Sequence, residues 1–142
     1  MYKRQGLARI RRAVADARGG DPAAPGARAL LARVELEACA RAGEPAAGLA
    51  AADEALAAGG AIGLWEAEVR RLRAEFGLAL GWDPADAEVE LDRAIAIAQR
   101  QGARSLERRA RDSRDRLLGE RTAERSQNAV GASMPSESHD RR

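Results

Sequence analysis

Apolar residues recur along much of this chain at the three- and four-residue intervals of an α-helix. Trp65, Val69, Leu72, Phe76, Ala79 and Leu80 fall at i, i+4, i+7, i+11, i+14 and i+15, one face of a helix. Ala87, Leu91, Ala94, Ile95 and Ala98 repeat the pattern in the segment that follows. Leu31, Val34 and Ala38 predict an earlier helix, and Leu49, Ala52 and Leu56 its partner. Leu7, Ile10, Val14 and Ala17 predict a helix that stops at Gly19-Gly20, and Ala103, Leu106, Ala110, Ser113 and Leu117 predict a last one. The punctuation agrees with the periodicity. Gly43 and Gly81 stand where a helix C-terminus wants a residue with positive φ. Asp83 then offers an N-cap carboxylate, and Pro84 occupies the first helical position, where its missing N–H costs nothing.

These helices repeat. Gly43, Gly81 and Gly119 are 38 residues apart, and the positions before them align without gaps as Arg33, Arg71 and Arg109, then Val34, Leu72 and Ala110. Glu37 and Glu75 continue the series and Ser113 breaks it. One unit reads as helix, glycine turn, Pro-Ala helix start, helix. The chain then divides into a helix of a severed preceding repeat at 6–20, repeats at 27–63 and 64–102, and the first helix of an incomplete third repeat at 103–121. Residues 122–142, poor in large apolar side chains, read as a disordered tail. Residues 1–5, Met-Tyr-Lys-Arg-Gln, resemble the translation of a sequencing-adapter end, and they hold both the lone Lys3 and the lone Tyr2.

The segments Gly48–Leu56, Leu64–Glu75, Leu78–Gly81 and Ile95–Ala98 with Gln101–Glu107 resemble the tetratricopeptide repeats. More narrowly, they are similar to the C-terminal repeat region of bacterial adenylate/guanylate cyclase-like proteins, predicted ATPases and LuxR-type ATP-binding regulators. The resemblance covers about residues 28–119. It implies an all-α fold, an antiparallel helix-pair (tetratricopeptide-like) solenoid of about five helices. It also implies a cytoplasmic, non-catalytic protein-interaction or scaffold module, the fragment of a larger signalling or regulatory protein whose catalytic domain lies upstream. Three departures stand out. The period is 38 rather than 34, Gly77 replaces a residue that is commonly large in the family, and Gly48 replaces a small alanine.

Composition narrows the chemistry further. Alanine (34 residues), arginine (23) and glycine (14) fill half of the 142 positions, and only four residues are aromatic. Alanine builds close-packed helices and is poor material for a sheet. One cysteine, Cys39, excludes a disulfide scaffold, and no apolar run is long enough to cross a membrane. No glycine-rich loop ends in Lys-Ser/Thr, so a phosphate-binding P-loop is missing. His139 is the sole imidazole, and its neighbours Ser138 and Asp140 have no rigid scaffold to make a triad. We therefore expect no enzyme, no cofactor and no metal.

The candidates that remain are surface charges. In the repeat family the first helices of successive units line a groove for peptides or partner proteins, and the resemblance places Arg33, Glu37, Arg71, Glu75 and Arg109 there. Arginine presents a planar fork suited to carboxylates. Against this, Arg33–Glu37 and Arg71–Glu75 are i, i+4 pairs that could simply satisfy each other. A rival partner is nucleic acid, through residues 104–121, where seven arginines face four carboxylates. Severed and incomplete repeats would also leave apolar surface open to self-association, including Ile10 and Val14.

Overall fold

The computed structural model describes residues 2–19 and 25–133, and in that range the chain is all helix and turn. Six α-helices follow one another: α1 (Tyr2–Gly19), α2 (Pro25–Ala42), α3 (Pro45–Ala57), α4 (Glu66–Ala79), α5 (Pro84–Arg100) and α6 (Arg104–Gly131), with a 3-10 segment, Gly59–Trp65, between α3 and α4. The count is six rather than about five.

The turns obey one rule. Gly43, Gly81 and Gly102 have φ of 67°, 91° and 65°. The residue after each donates its N–H five positions back, Glu44 to Cys39 (3.0 Å), Trp82 to Gly77 (2.9 Å) and Ala103 to Ala98 (2.9 Å). This closure satisfies carbonyls that a helix end otherwise leaves orphaned. After Gly81 the Asp83 carboxylate accepts the Ala85 N–H at 2.8 Å, which caps α5 as expected.

Gly119 breaks the rule. It sits inside α6, which runs on to Gly131, so the helix does not stop at 121 and residues 122–131 are helical rather than a disordered tail. Nothing forces a stop there, because no proline follows until Pro135 and most of residues 120–127 tolerate a helix. Every residue from Thr122 to Ser133 is nevertheless exposed. Residues 134–142, including His139, lie outside the described residues.

Each helix packs on the next in sequence. Beyond that, α2 meets α4 and α4 meets α6, whereas α1, α3 and α5 make no contact with one another among the described residues. Leu36 and Cys39 of α2, Ala51, Ala52 and Ala55 of α3, and Val69, Leu72 and Phe76 of α4 form the main core. Two smaller clusters continue it. Ala67 joins Ile97, Ala98 and Leu106, and Ala74 joins Ala87, Leu91 and Leu117. Cys39 is fully buried, and burial pushes its thiol pKa up, so it behaves as a small apolar residue.

The stripe expected on α2 is the wrong one. Ala29, Ala32, Leu36 and Cys39 face the core, while Val34 is 40% exposed and Leu31 and Ala38 are half-buried. This helix is apolar on two sides, and periodicity alone cannot choose between them. In α4 the stripe holds from Val69 to Phe76, but Ala79 and Leu80 are exposed where the helix ends.

The two unusual glycines are explained by rings. A Cβ on Gly48 would lie 2.5 Å from the Phe76 ring, and one on Gly77 would lie 2.2 Å from the Trp82 indole. Helix α3 thus approaches α4 closely enough for Phe76 to rest on bare backbone. Trp82, one turn beyond the end of α4, folds back over the bare backbone of Gly77.

Candidate functional site

The five charged candidates lie on α2, α4 and α6, the three helices that touch as a row, but they form two groups. On α2, Arg33 donates to Glu37 at 2.9 Å, as its i, i+4 spacing predicts, and its guanidinium lies 4.1 Å over the Trp65 ring. Trp65 is half-buried against the core, so this stack ties α2 to the start of α4.

The second group is larger. Arg71 grips Glu68 with two prongs, Nε to Oε2 at 3.0 Å and Nη2 to Oε1 at 2.8 Å, and donates to Glu75 at 2.8 Å. From α6, Arg109 reaches Glu68 at 3.3 Å. Also from α6, Ser113 donates its hydroxyl to Glu75 at 2.7 Å and Arg116 donates to the same oxygen at 3.2 Å. Arg71, Glu75 and Arg109 are therefore brought together, and Glu68, Ser113 and Arg116 join them.

Burial decides what this network can do. Glu68 is only 2% exposed. Burial alone would push its carboxyl pKa up, but the hydrogen bond and charge of Arg71, with Arg109, outweigh that and hold it below the ordinary value. The Arg71 side chain is 14% exposed and fully engaged. With a further contact to the Ser113 hydroxyl of α6 at 3.4 Å it has little surface left for a partner. Arg109 holds Glu68, Arg116 holds Glu75, the Ser113 hydroxyl and the Asp112 carbonyl, and both side chains are more than half exposed.

Ser113, which interrupts the repeat in sequence, has a clear reason in space. It lies against Glu75, its own equivalent 38 residues earlier, and a glutamate there would set two carboxylates together. The same offset recurs at the neighbouring turn, where the Gln101 amide donates to the Gly63 carbonyl at 3.2 Å. Sequence reasoning missed Glu68 because both equivalents, Leu30 and Leu106, are leucine. That mismatch was itself the available signal.

A second buried carboxylate, Glu90 of α5, is held by Arg70 at 3.0 Å and by Arg73 and Arg93 at 3.4 Å. Arg73 also reaches Asp53 of α3 at 2.7 Å and lies 4.8 Å from the Trp82 ring centre, so α3, α4 and α5 are pinned through one guanidinium.

The arginines of α6 mostly point at neighbours instead of forming a ladder along their own helix. Arg109, Arg114, Arg116 and Arg121 pair with Glu68, Asp92, Glu75 and Glu88, and only Arg111 takes its i, i+4 partner, Glu107. Five of the seven arginines in 104–121 therefore already hold a carboxylate, several of them sharing it with another arginine. No helix among the described residues is long and apolar enough to cross a membrane. Comparison with protein-family models, with curated proteins and with solved structures found no match.

Proposed function

We propose that this chain is a non-catalytic interaction module, a tetratricopeptide-like array of antiparallel helix pairs whose first helices, α2, α4 and α6, present one face to a protein or peptide partner. The observation that carries it is the pair of hydrogen bonds between residues 38 apart, Ser113 to Glu75 and Gln101 to Gly63. A sequence period that reappears as contact between equivalent positions is what stacking of repeated units produces. The row of α2, α4 and α6, with α1, α3 and α5 kept apart, supports the same architecture. On this reading Arg33, Glu37, Arg71 and Glu75 build the face, and Arg109 and Arg116 offer guanidinium edges to acidic groups of the partner. The resemblance to cyclase- and ATPase-associated repeats makes a cytoplasmic bacterial signalling protein the proposed parent.

A displayed library of random peptides, selected on the purified chain, tests this. Acidic peptides should be enriched, and the double variant Arg109→Glu with Arg116→Glu should lose them while keeping its helical circular dichroism. Enrichment indifferent to both charges would overturn the assignment of the face. Tight binding of duplex DNA that survives moderate salt would instead favour nucleic acid.

A further inference from the structure

We propose that the cleft beside Trp82, between α4 and α5, is a second docking site, and that it takes a peptide segment carrying an aromatic or branched apolar side chain between a basic and an acidic one. The cleft holds about 370 Å³ and is lined by Arg73 of α4, Trp82 of the turn, and Asp86, Val89, Glu90 and Arg93 of α5. Arg73 and Arg71 are two residues apart and so point about 200° away from each other around α4. The cleft therefore opens away from the face that carries Arg71, Arg109 and Arg116. Helices α3 and α5 both pack on α4 but not on each other, and Arg73 reaches both, Asp53 at 2.7 Å and Glu90 at 3.4 Å.

Every lining residue departs from the first repeat. Pro45 and Pro84 begin equivalent second helices 39 residues apart, so Asp86, Val89 and Glu90 stand where the first repeat has Ala47, Ala50 and Ala51. Arg93 replaces Glu54, Arg73 replaces Glu35 at the 38-residue offset of the first helices, and Trp82 is an extra residue in the turn. Glu90 is the telling one. It and Ala51 are both buried, so an alanine meets the packing need of this position without a charge. A buried carboxylate is a poor means of gaining stability. What Glu90 does is fix Arg70, Arg73 and Arg93, and Arg73 in turn lies 4.8 Å from the centre of the Trp82 ring. Departures from a repeat that converge on one cleft, one of them costly, mark a site held in shape for a ligand.

The charges left over define the partner. Arg73 and Glu90 are spent on each other and on Asp53 and Arg70. Asp86 is exposed and has no ion pair among the described residues. The Arg93 side chain is 63% exposed and holds Glu90 only at 3.4 Å. Val89, half exposed, lies between them. Asp86, Val89 and Arg93 are i, i+3 and i+7, one face of α5 that reads negative, apolar, positive over about 10 Å. The complement is a basic, an apolar and an acidic side chain within about four residues of extended chain. An aromatic in the middle position can also meet the indole of Trp82. A partner of one charge sign is repelled at one end of the row.

A displayed library of random peptides, selected on the full chain carrying Arg109→Glu and Arg116→Glu, tests this with the other face disabled, so that the two readings fail separately. Enriched peptides should carry an aromatic or branched apolar residue with a basic residue on one side and an acidic one on the other. Selection on the same chain with Asp86→Arg added should exchange the basic residue for an acidic one. A synthetic peptide from the first selection should bind Asp86→Arg at least about tenfold more weakly, with helical circular dichroism unchanged. Val89→Ser, at an exposed position, should weaken the same peptide several-fold. No enrichment, enrichment of peptides of one charge sign, or a peptide that binds both variants undiminished would each overturn the proposal. Should Asp86→Arg lose helicity, Val89→Ser decides alone.

Discussion

Arg71 offers the sharpest test of how the first helices are held together. Replacing it with methionine keeps most of the aliphatic stem and removes the guanidinium. Glu68 then loses its two bonds at 3.0 and 2.8 Å while remaining 2% exposed. Taking one partner from a buried ion pair costs about 3–5 kcal/mol. Arg109 stays at 3.3 Å but is largely in solvent, so about 2–3 kcal/mol of that cost should remain. At about 4 °C per kcal/mol for a chain of this size, the melting midpoint should fall by roughly 8–12 °C. Glu68→Leu is the companion. It removes the buried charge itself, Arg71 keeps Glu75 at 2.8 Å, and both repeat equivalents are already leucine. Its cost should stay below about 1.5 kcal/mol. Thermal and urea unfolding followed by circular dichroism would measure both variants. The pH dependence adds a signature. The Glu68 carboxyl is held below its ordinary value of 4.5, so its contribution is fully present above that pH and fades as pH falls through the depressed value. The wild type's lead over Arg71→Met should therefore shrink on acidification from about pH 5 toward pH 3. Equal costs for the two substitutions, or a lead that ignores pH, would refute the reasoning.

Two further predictions follow from the same contacts. Gly48→Ala and Gly77→Ala should each destabilise by about 1–3 kcal/mol, because the new methyl meets the Phe76 or Trp82 ring below 3 Å, whereas Gly119→Ala, with nothing within 4 Å, should stabilise by about 0.5–1 kcal/mol. Urea midpoints give the signs, and a stabilising Gly48→Ala would remove the ring-on-backbone account. Hydrogen exchange should show amides of 122–131 opening far faster than those around Leu106–Leu117, since every one of the last turns of α6 is exposed whereas Leu106, Ala110 and Leu117 are buried. Equal protection along the helix would contradict this.

The helices were legible because stop signals and periodicity agreed. Gly43, Gly81 and Asp83 act where their chemistry says they should, and Val69, Leu72 and Phe76 of α4 and Ala87, Leu91, Ala94 and Ala98 of α5 are buried as their spacing predicts. Gly119 was misleading for a physical reason. Glycine permits a left-handed cap without demanding one, and the residues around it decide whether the helix stops. The candidate site was half legible. Arg71 and Glu75 are i, i+4 neighbours and could be paired on paper. Their bonds to Arg109, Ser113 and Arg116 depend on how α6 lies across α4, and Glu68 joins only because that crossing buries it.

By itself, then, the sequence determined the helical segments, most of their turns and the 38-residue period, since these depend on backbone chemistry and on side chains a few residues apart. Tertiary packing decided the remainder. It chose which of two apolar stripes on α2 enters the core, laid the Phe76 and Trp82 rings over Gly48 and Gly77, and set most of the arginines of α6 as bridges to other helices. Each of those outcomes is set by contacts between distant segments, and a burial cost falls on a charge only once another helix has come to lie over it.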